Sequence, residues 1–115
     1  MVVGKVFSFE AAHFIPGHPR CGRTHGHSFL VEIVVEGEVN PVTGMVIDFI
    51  RLAEIVKPLI DTLDHTNLNN LFSNPTAETI CDWFYVELTK RLPTFDGIGV
   101  KVRETSTNWA SKGVS

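Results

Sequence analysis

From Val2 to His13 the chain alternates between apolar and polar positions, and Val3, Phe7, Phe9 and Ala11 share one side with Lys5 and His13. A period of two predicts a strand with one buried face. Residues Phe14 to Thr24 hold prolines 16 and 19, glycines 17 and 22, His18 and Cys21, a loop composition. A second strand is predicted from His25 to Val39, with Phe29, Val31, Ile33 and Val35 on one face and Glu32 and Glu36 on the other. The two strands are expected to pair antiparallel across a loop long for a hairpin, and such loops inside small domains tend to be functional. "NPVTG" (Asn40 to Gly44) is a turn.

The period then changes to that of a helix. Asp48 is a candidate N-cap for "FIRLAEIVKPLIDTL", with helical spacing at Ile50, Ala53, Val56 (or Lys57) and Ile60. Pro58 inside it is expected to kink or shorten the helix. The polar stretch "DHTNLNNLFSN" predicts a loop. Asn74 and Pro75 are expected to open a second helix, cap first and proline at the first helical position, with Ile80, Phe84 (or Trp83), Glu87 and Leu88 at helical spacing. "GIGVKVRETS" predicts a third strand, with Val100, Val102 and Glu104 on one face, and 108–115 a fourth after a turn near Ser106. The order ββ-αα-ββ indicates an α+β fold, with a four-stranded antiparallel sheet and two helices in one domain over residues 1–115.

Composition narrows the function classes. The chain has 115 residues, 43% hydrophobic and 20% charged, with a formal net charge of −3. No basic run exists, so nucleic acid is not an expected partner. No apolar stretch reaches membrane-spanning length, and the N-terminus lacks a signal-peptide pattern, so a cytoplasmic location is expected. Two cysteines in such a chain are expected to be free thiols, and Cys81, inside an amphipathic helix, to be core. So short a chain buries a modest share of its surface, which favours oligomerisation.

The candidate chemistry lies in "CGRTHGHSF", Cys21 to Phe29. His25 and His27, two apart on a strand, project to the same side. His13, at the end of the first strand, can face them. Three neutral imidazoles around Zn²⁺ with a fourth position open make a catalytic site. The alternative is a chance His-x-His pair on an exposed strand. His18, mid-loop among prolines, is expected to be solvated. Arg20 and Arg23 flank Cys21 and lower a thiol's pKa, which suits it to act as nucleophile or proton acceptor; a half-exposed structural thiol is the alternative. Asp64 and His65 are either a carboxylate–imidazole relay or a helix end and turn, and adjacent residues do not readily face each other. Glu104 can bind two N–H donors of a flat heterocycle or simply be solvated at a strand end.

Six blocks, "FSFEAAHF", "CGRTHGHSF", "GMVIDF", "LDHTNLN", "NPTAET" and "VRETST", resemble in order those of the 6-pyruvoyl-tetrahydropterin synthase superfamily. The spacing C-x-x-x-H-G-H is most similar to its 6-carboxy-5,6,7,8-tetrahydropterin synthase branch. The resemblance covers Phe7 to about Gly113, and the ending "NWASKGVS" departs from it. It implies the tunnelling fold, with subunits closing a barrel as trimers, two trimers stacking into a homohexamer, and sites between subunits. It implies His13, His25 and His27 as zinc ligands, Cys21 as proton acceptor, and Asp64 with His65 as a relay from a neighbouring subunit. It implies Glu104 as the anchor of a pterin ring, assisted by groups around Thr76 and Thr105. Glu78 lies in the same block as Thr76. The implied reaction converts 7,8-dihydroneopterin triphosphate to 6-carboxytetrahydropterin, acetaldehyde and triphosphate, on the path to queuosine. Arg20, Arg23, Lys101 and Arg103 are the cations to consider for the triphosphate. A 6-pyruvoyl-tetrahydropterin synthase, a side-chain-cleaving enzyme on dihydroneopterin, and a non-catalytic zinc- and pterin-binding module are the competing readings.

Overall fold

A computed structural model describes residues 1–115. The two alternating segments form strands β1 (Val2–His13) and β2 (His25–Glu36), antiparallel in the register Val2↔Glu36 to His13↔His25. Strand β2 therefore ends three residues before the predicted Val39. The odd-numbered residues of both strands face inward, and Phe9 stacks on Phe29 with centroids 4.8 Å apart. Burying such aromatic pairs contributes beyond their area alone.

Helix α1 spans Phe49–Leu63 and is capped by Asp48, whose carboxylate accepts from the N–H of Ile50. Such a cap stabilises a helix by about 1 kcal/mol. Leu52, Val56, Leu59, Ile60 and Leu63 form its buried face. Pro58 does not shorten this helix. Pro58 and Glu54, whose carbonyl loses its helical partner there, are both exposed, so water can satisfy that group.

The predicted polar loop contains structure that the pattern did not reveal. Thr66–Asn67 form a short strand β3 that runs parallel to β1, pairing with Ala11 and Ala12. A single turn of 3₁₀ helix follows at Leu68–Asn70. Helix α2 spans Ala77–Arg91, and its N-cap is Thr76 rather than Asn74. The Thr76 hydroxyl accepts from the N–H of Thr79, while the Pro75 carbonyl is turned to His13. Ile80, Cys81, Phe84 and Leu88 are buried on α2; of the positions at helical spacing, Phe84 rather than Trp83 enters the core and Glu87 does not.

Strand β4 (Gly97–Arg103) pairs antiparallel with β2, and β5 (Trp109–Gly113) with β4. The sheet is thus five-stranded and mixed, in the order β3-β1-β2-β4-β5, where a four-stranded antiparallel sheet is expected from the sequence. Gly113, at φ 86°, ends β5 where a Cβ would come within 2.0 Å of the Ile98 carbonyl oxygen, so only glycine fits this close approach.

Both helices pack on the inner face of the sheet. The outer face carries Val2, Val6 and Leu30 exposed to solvent. Most of the outer edge of β1 is unpaired, because β3 covers only Ala11 and Ala12. The molecule is elongated, 53 × 24 × 21 Å. No helix is long and apolar enough to cross a membrane.

Candidate metal and pterin site

The β1–β2 register builds the site. His13 pairs directly with His25, and His27 lies opposite Ala11, on the same inward face. The small Ala11 side chain leaves room for the rings beside it. The His13 and His25 ring centroids are 4.7 Å apart, His25 and His27 4.7 Å, and His13 and His27 5.1 Å. Glu104 follows β4 on the side of Val100 and Val102, which turns its carboxylate towards this cluster. Its Oε1 lies 3.0 Å from His13 Nε2 and 3.2 Å from His27 Nε2. One donor atom from each of His13, His25, His27 and Glu104 falls within 4.8 Å of all the others. This group can hold a metal ion.

Hydrogen bonds set the ring tautomers. His13 is fully buried, and its Nδ1 is 2.7 Å from the Pro75 carbonyl oxygen. A carbonyl only accepts, so Nδ1 carries the proton and Nε2 presents a lone pair. His25 Nδ1 is likewise 2.7 Å from the Arg23 carbonyl oxygen, which leaves its Nε2 free. A carbonyl behind an imidazole is the usual outer support of a metal ligand. Nε2 of His13 and of His27 has no hydrogen-bond partner despite the nearby Glu104 oxygen. Buried acceptors converging on a carboxylate oxygen are what a divalent cation neutralises, so the donor set fits a metal. Burial pushes the His27 ring below its ordinary 6.5; Glu104 raises it and His13 and His25 lower it. The net effect favours the neutral, ligating form.

Two contacts hold His13 in place that the sequence did not single out. Asn69 grips the next residue, Phe14, with both ends of its amide. Its Oδ1 accepts the Phe14 N–H at 2.8 Å, and its Nδ2 donates to the Phe14 carbonyl at 2.9 Å. The other contact is the Pro75 carbonyl. The only sequence signal for Asn69 was the asparagine-rich run after α1.

Cys21, Arg20 and Arg23 line a cleft of about 270 Å³ with His25, His27, Glu104, Thr105 and Asn108. Cys21 is half-buried and free, whereas Cys81 is buried under Val100, where desolvation raises its thiol pKa. The Thr105 hydroxyl accepts the N–H groups of Thr107 and Asn108 and closes the turn that carries Glu104. Thr76, by contrast, caps α2 and is not among the cleft residues. Glu78 is exposed in the first turn of α2. Lys101 and Arg103, considered with the phosphate-binding cations, alternate to the outer face of β4 and border a separate depression with Val6, Leu30 and Glu32. Lys101 lies over the Trp109 ring.

Asp64 and His65 do face each other, against the expectation for neighbours. His65 adopts φ 57°, and its Nδ1 is 2.9 Å from Asp64 Oδ2. The pair is tied to β1: Asp64 Oδ1 accepts the Glu10 N–H at 2.9 Å, and the His65 N–H donates to the Glu10 carbonyl at 2.6 Å. These bonds, led by the Glu10 N–H and then His65, hold the Asp64 carboxyl below its ordinary 3.8. His65 opens into a shallow cleft of about 520 Å³ with Glu10, Ala12, Gly26 and Ser28. Those even-numbered strand residues belong to the outer face, whereas His27 borders both this cleft and the one that Cys21 lines, so His65 and Cys21 open on adjoining but different clefts of one chain.

An α+β protein with a histidine–carboxylate cluster at the open end of a long hairpin is the class that fold and site define. Residues 2–113 match the family described as 6-pyruvoyl tetrahydropterin synthase, and the chain belongs to that family. A protein of Archaeoglobus fulgidus, provisionally named 6-carboxy-5,6,7,8-tetrahydropterin synthase, is 42% identical over 96% of this chain and 93% of its own. A Pyrococcus furiosus protein named dihydroneopterin monophosphate aldolase is 42% identical over 75% of this chain and 73% of its own. The solved structure of Caenorhabditis elegans 6-pyruvoyl tetrahydropterin synthase superposes with a TM-score of 0.88 at 24% identity, covering 100% of this chain and 96% of that one, and shows a shared fold.

Proposed function

We propose that this protein is a zinc-dependent lyase of the 6-carboxy-5,6,7,8-tetrahydropterin synthase type. It would convert 7,8-dihydroneopterin triphosphate, with uptake of water, to 6-carboxytetrahydropterin, acetaldehyde and triphosphate. This would supply 7-deazapurine synthesis towards queuosine in the cytoplasm. The observation that carries the reading is the convergence of the His13 and His27 Nε2 atoms on Glu104 Oε1 beside Cys21. Imidazole-rich donor sets of this kind suit Zn²⁺. A bound zinc ion supplies Lewis-acid polarisation of substrate oxygens.

In this account His13, His25 and His27 hold the ion. Cys21 takes up a proton from the substrate side chain, and Arg20 and Arg23 meet phosphate charge. Glu104 and Thr105 meet the amino-pyrimidine edge of the pterin. Groups around Thr76, at the N-cap of α2, assist Glu104 at the pterin. Asp64 orients His65, which moves a proton from the opposite side of the substrate.

We place that last role in a second copy of the chain, because within one chain His65 and Cys21 open on different clefts that share only His27. The unpaired edges of β1 and β5 and the exposed Val2, Val6 and Leu30 favour edge-to-edge association into a barrel. We assign a trimer stacked into a homohexamer, with no nucleic acid or membrane partner.

The test is product identification from dihydroneopterin triphosphate: acetaldehyde supports the assignment, and its absence removes it. The similarity to the Pyrococcus furiosus aldolase favours one second reading, cleavage of the dihydroneopterin side chain. A retro-aldol step on dihydroneopterin or its monophosphate would release glycolaldehyde or glycolaldehyde phosphate in place of acetaldehyde, so product identification from those substrates beside the triphosphate separates the two.

A further inference from the structure

We propose that His18 is the positioning residue for Cys21, acting through the backbone of the loop between β1 and β2. The inference rests on the reading that Cys21 takes part in proton transfer. His18 is exposed and lies outside the cleft that Cys21 lines. Its ring nevertheless closes the loop. Nδ1 accepts the N–H of Arg20 at 3.1 Å and the N–H of Cys21 at 2.9 Å. An atom that accepts two N–H bonds presents its lone pair, so the ring is neutral and its proton sits on Nε2.

The rest of the loop is wound around this ring. The Ile15 N–H donates to the Cys21 carbonyl at 2.6 Å, and the His18 N–H donates to the Ile15 carbonyl at 3.1 Å. Both backbone groups of Cys21 are therefore held, one by Ile15 and one by His18. Gly22 completes the turn, because a Cβ there would come within 2.5 Å of the His18 carbonyl oxygen. This segment has few apolar anchors: positions 16–20 are all exposed. Side chain-to-backbone bonds, rather than packing, decide where the thiol sits relative to His25, His27 and Glu104. A thiol displaced by an ångström from its substrate hydrogen loses rate without losing binding.

Two variants test this, because an asparagine Oδ1 occupies the place of Nδ1 and accepts the same N–H groups. Cys21 alkylation by iodoacetamide, followed by peptide mass spectrometry, reads the loop directly and does not depend on turnover. His18→Ala is expected to raise the Cys21 alkylation rate at least about threefold as the loop opens more often. It should also lower kcat on dihydroneopterin triphosphate by about tenfold with KM within about twofold. His18→Asn is expected to restore both. An alkylation rate in His18→Ala at or below the wild-type rate would overturn the proposal, and so would a His18→Asn variant as altered as the alanine one. If Cys21→Ser turns over as fast as the wild type, the reading of Cys21 falls instead, while the alkylation comparison still decides the role of His18.

Discussion

His13 Nε2 lies 3.0 Å from Glu104 Oε1, yet no hydrogen bond joins them. The proton of that ring is on the other side, directed at Pro75. Two lone pairs at this distance repel unless a cation shares them. Glu104 therefore has two candidate roles, metal ligand and pterin anchor, and one substitution separates them. Glu104→Gln keeps the shape and removes the charge. With three imidazoles remaining, we expect about full metal content and a loss of pterin affinity of ten- to a hundredfold, the range for a lost charge-assisted hydrogen bond. Fluorescence titration with a pterin, beside metal analysis of the same sample, checks this. Unchanged pterin affinity removes the anchor role.

Asn69→Ala leaves the Phe14 N–H and carbonyl without their partner in a partly buried setting. We expect a loss of about 1–3 kcal/mol in urea unfolding. Metal affinity should fall as well, because Phe14 follows His13. A variant with wild-type stability and wild-type metal affinity would show that the amide clamp is dispensable.

The Asp64 tie to Glu10 has a pH signature. Bonds from the Glu10 N–H and from His65 lower the Asp64 pKa below 3.8. For a depressed carboxyl, the unfolded chain binds the proton first, so the added stability is present above the unfolded value and is lost as pH falls through the folded one. The wild type is therefore expected to melt above Asp64→Asn at pH 7, with the gap closing once the pH drops well below 3.8. A gap that persists unchanged at low pH would mean that the charge of Asp64 contributes nothing.

Much of this was legible in the sequence because burial imposes a period. The alternation in Val2–His13 and Phe29–Val35 placed β1 and β2, and with them the three histidines on one face. Asp48 announced α1. What could not be read depended on contacts distant in the chain. Strand β3 is two residues long and has no period; it exists because His65 takes φ 57° and Asp64 binds Glu10, fifty-four positions away. The same left-handed residue lets neighbours 64 and 65 face each other. Asn74 looked like the cap of α2, but the Pro75 carbonyl is engaged by His13, and the cap moved to Thr76. His18 looked like a solvated loop residue, and it is exposed; its two backbone bonds could be seen only once the loop was closed.

Metal stoichiometry tests the central claim most directly. Purified protein, equilibrated with zinc and freed of excess, is expected to hold about one ion per chain, and His27→Ala close to none, since two imidazoles rarely retain Zn²⁺ without a third. A wild type that takes up no ion, or a His27→Ala variant still holding about one, would contradict the account.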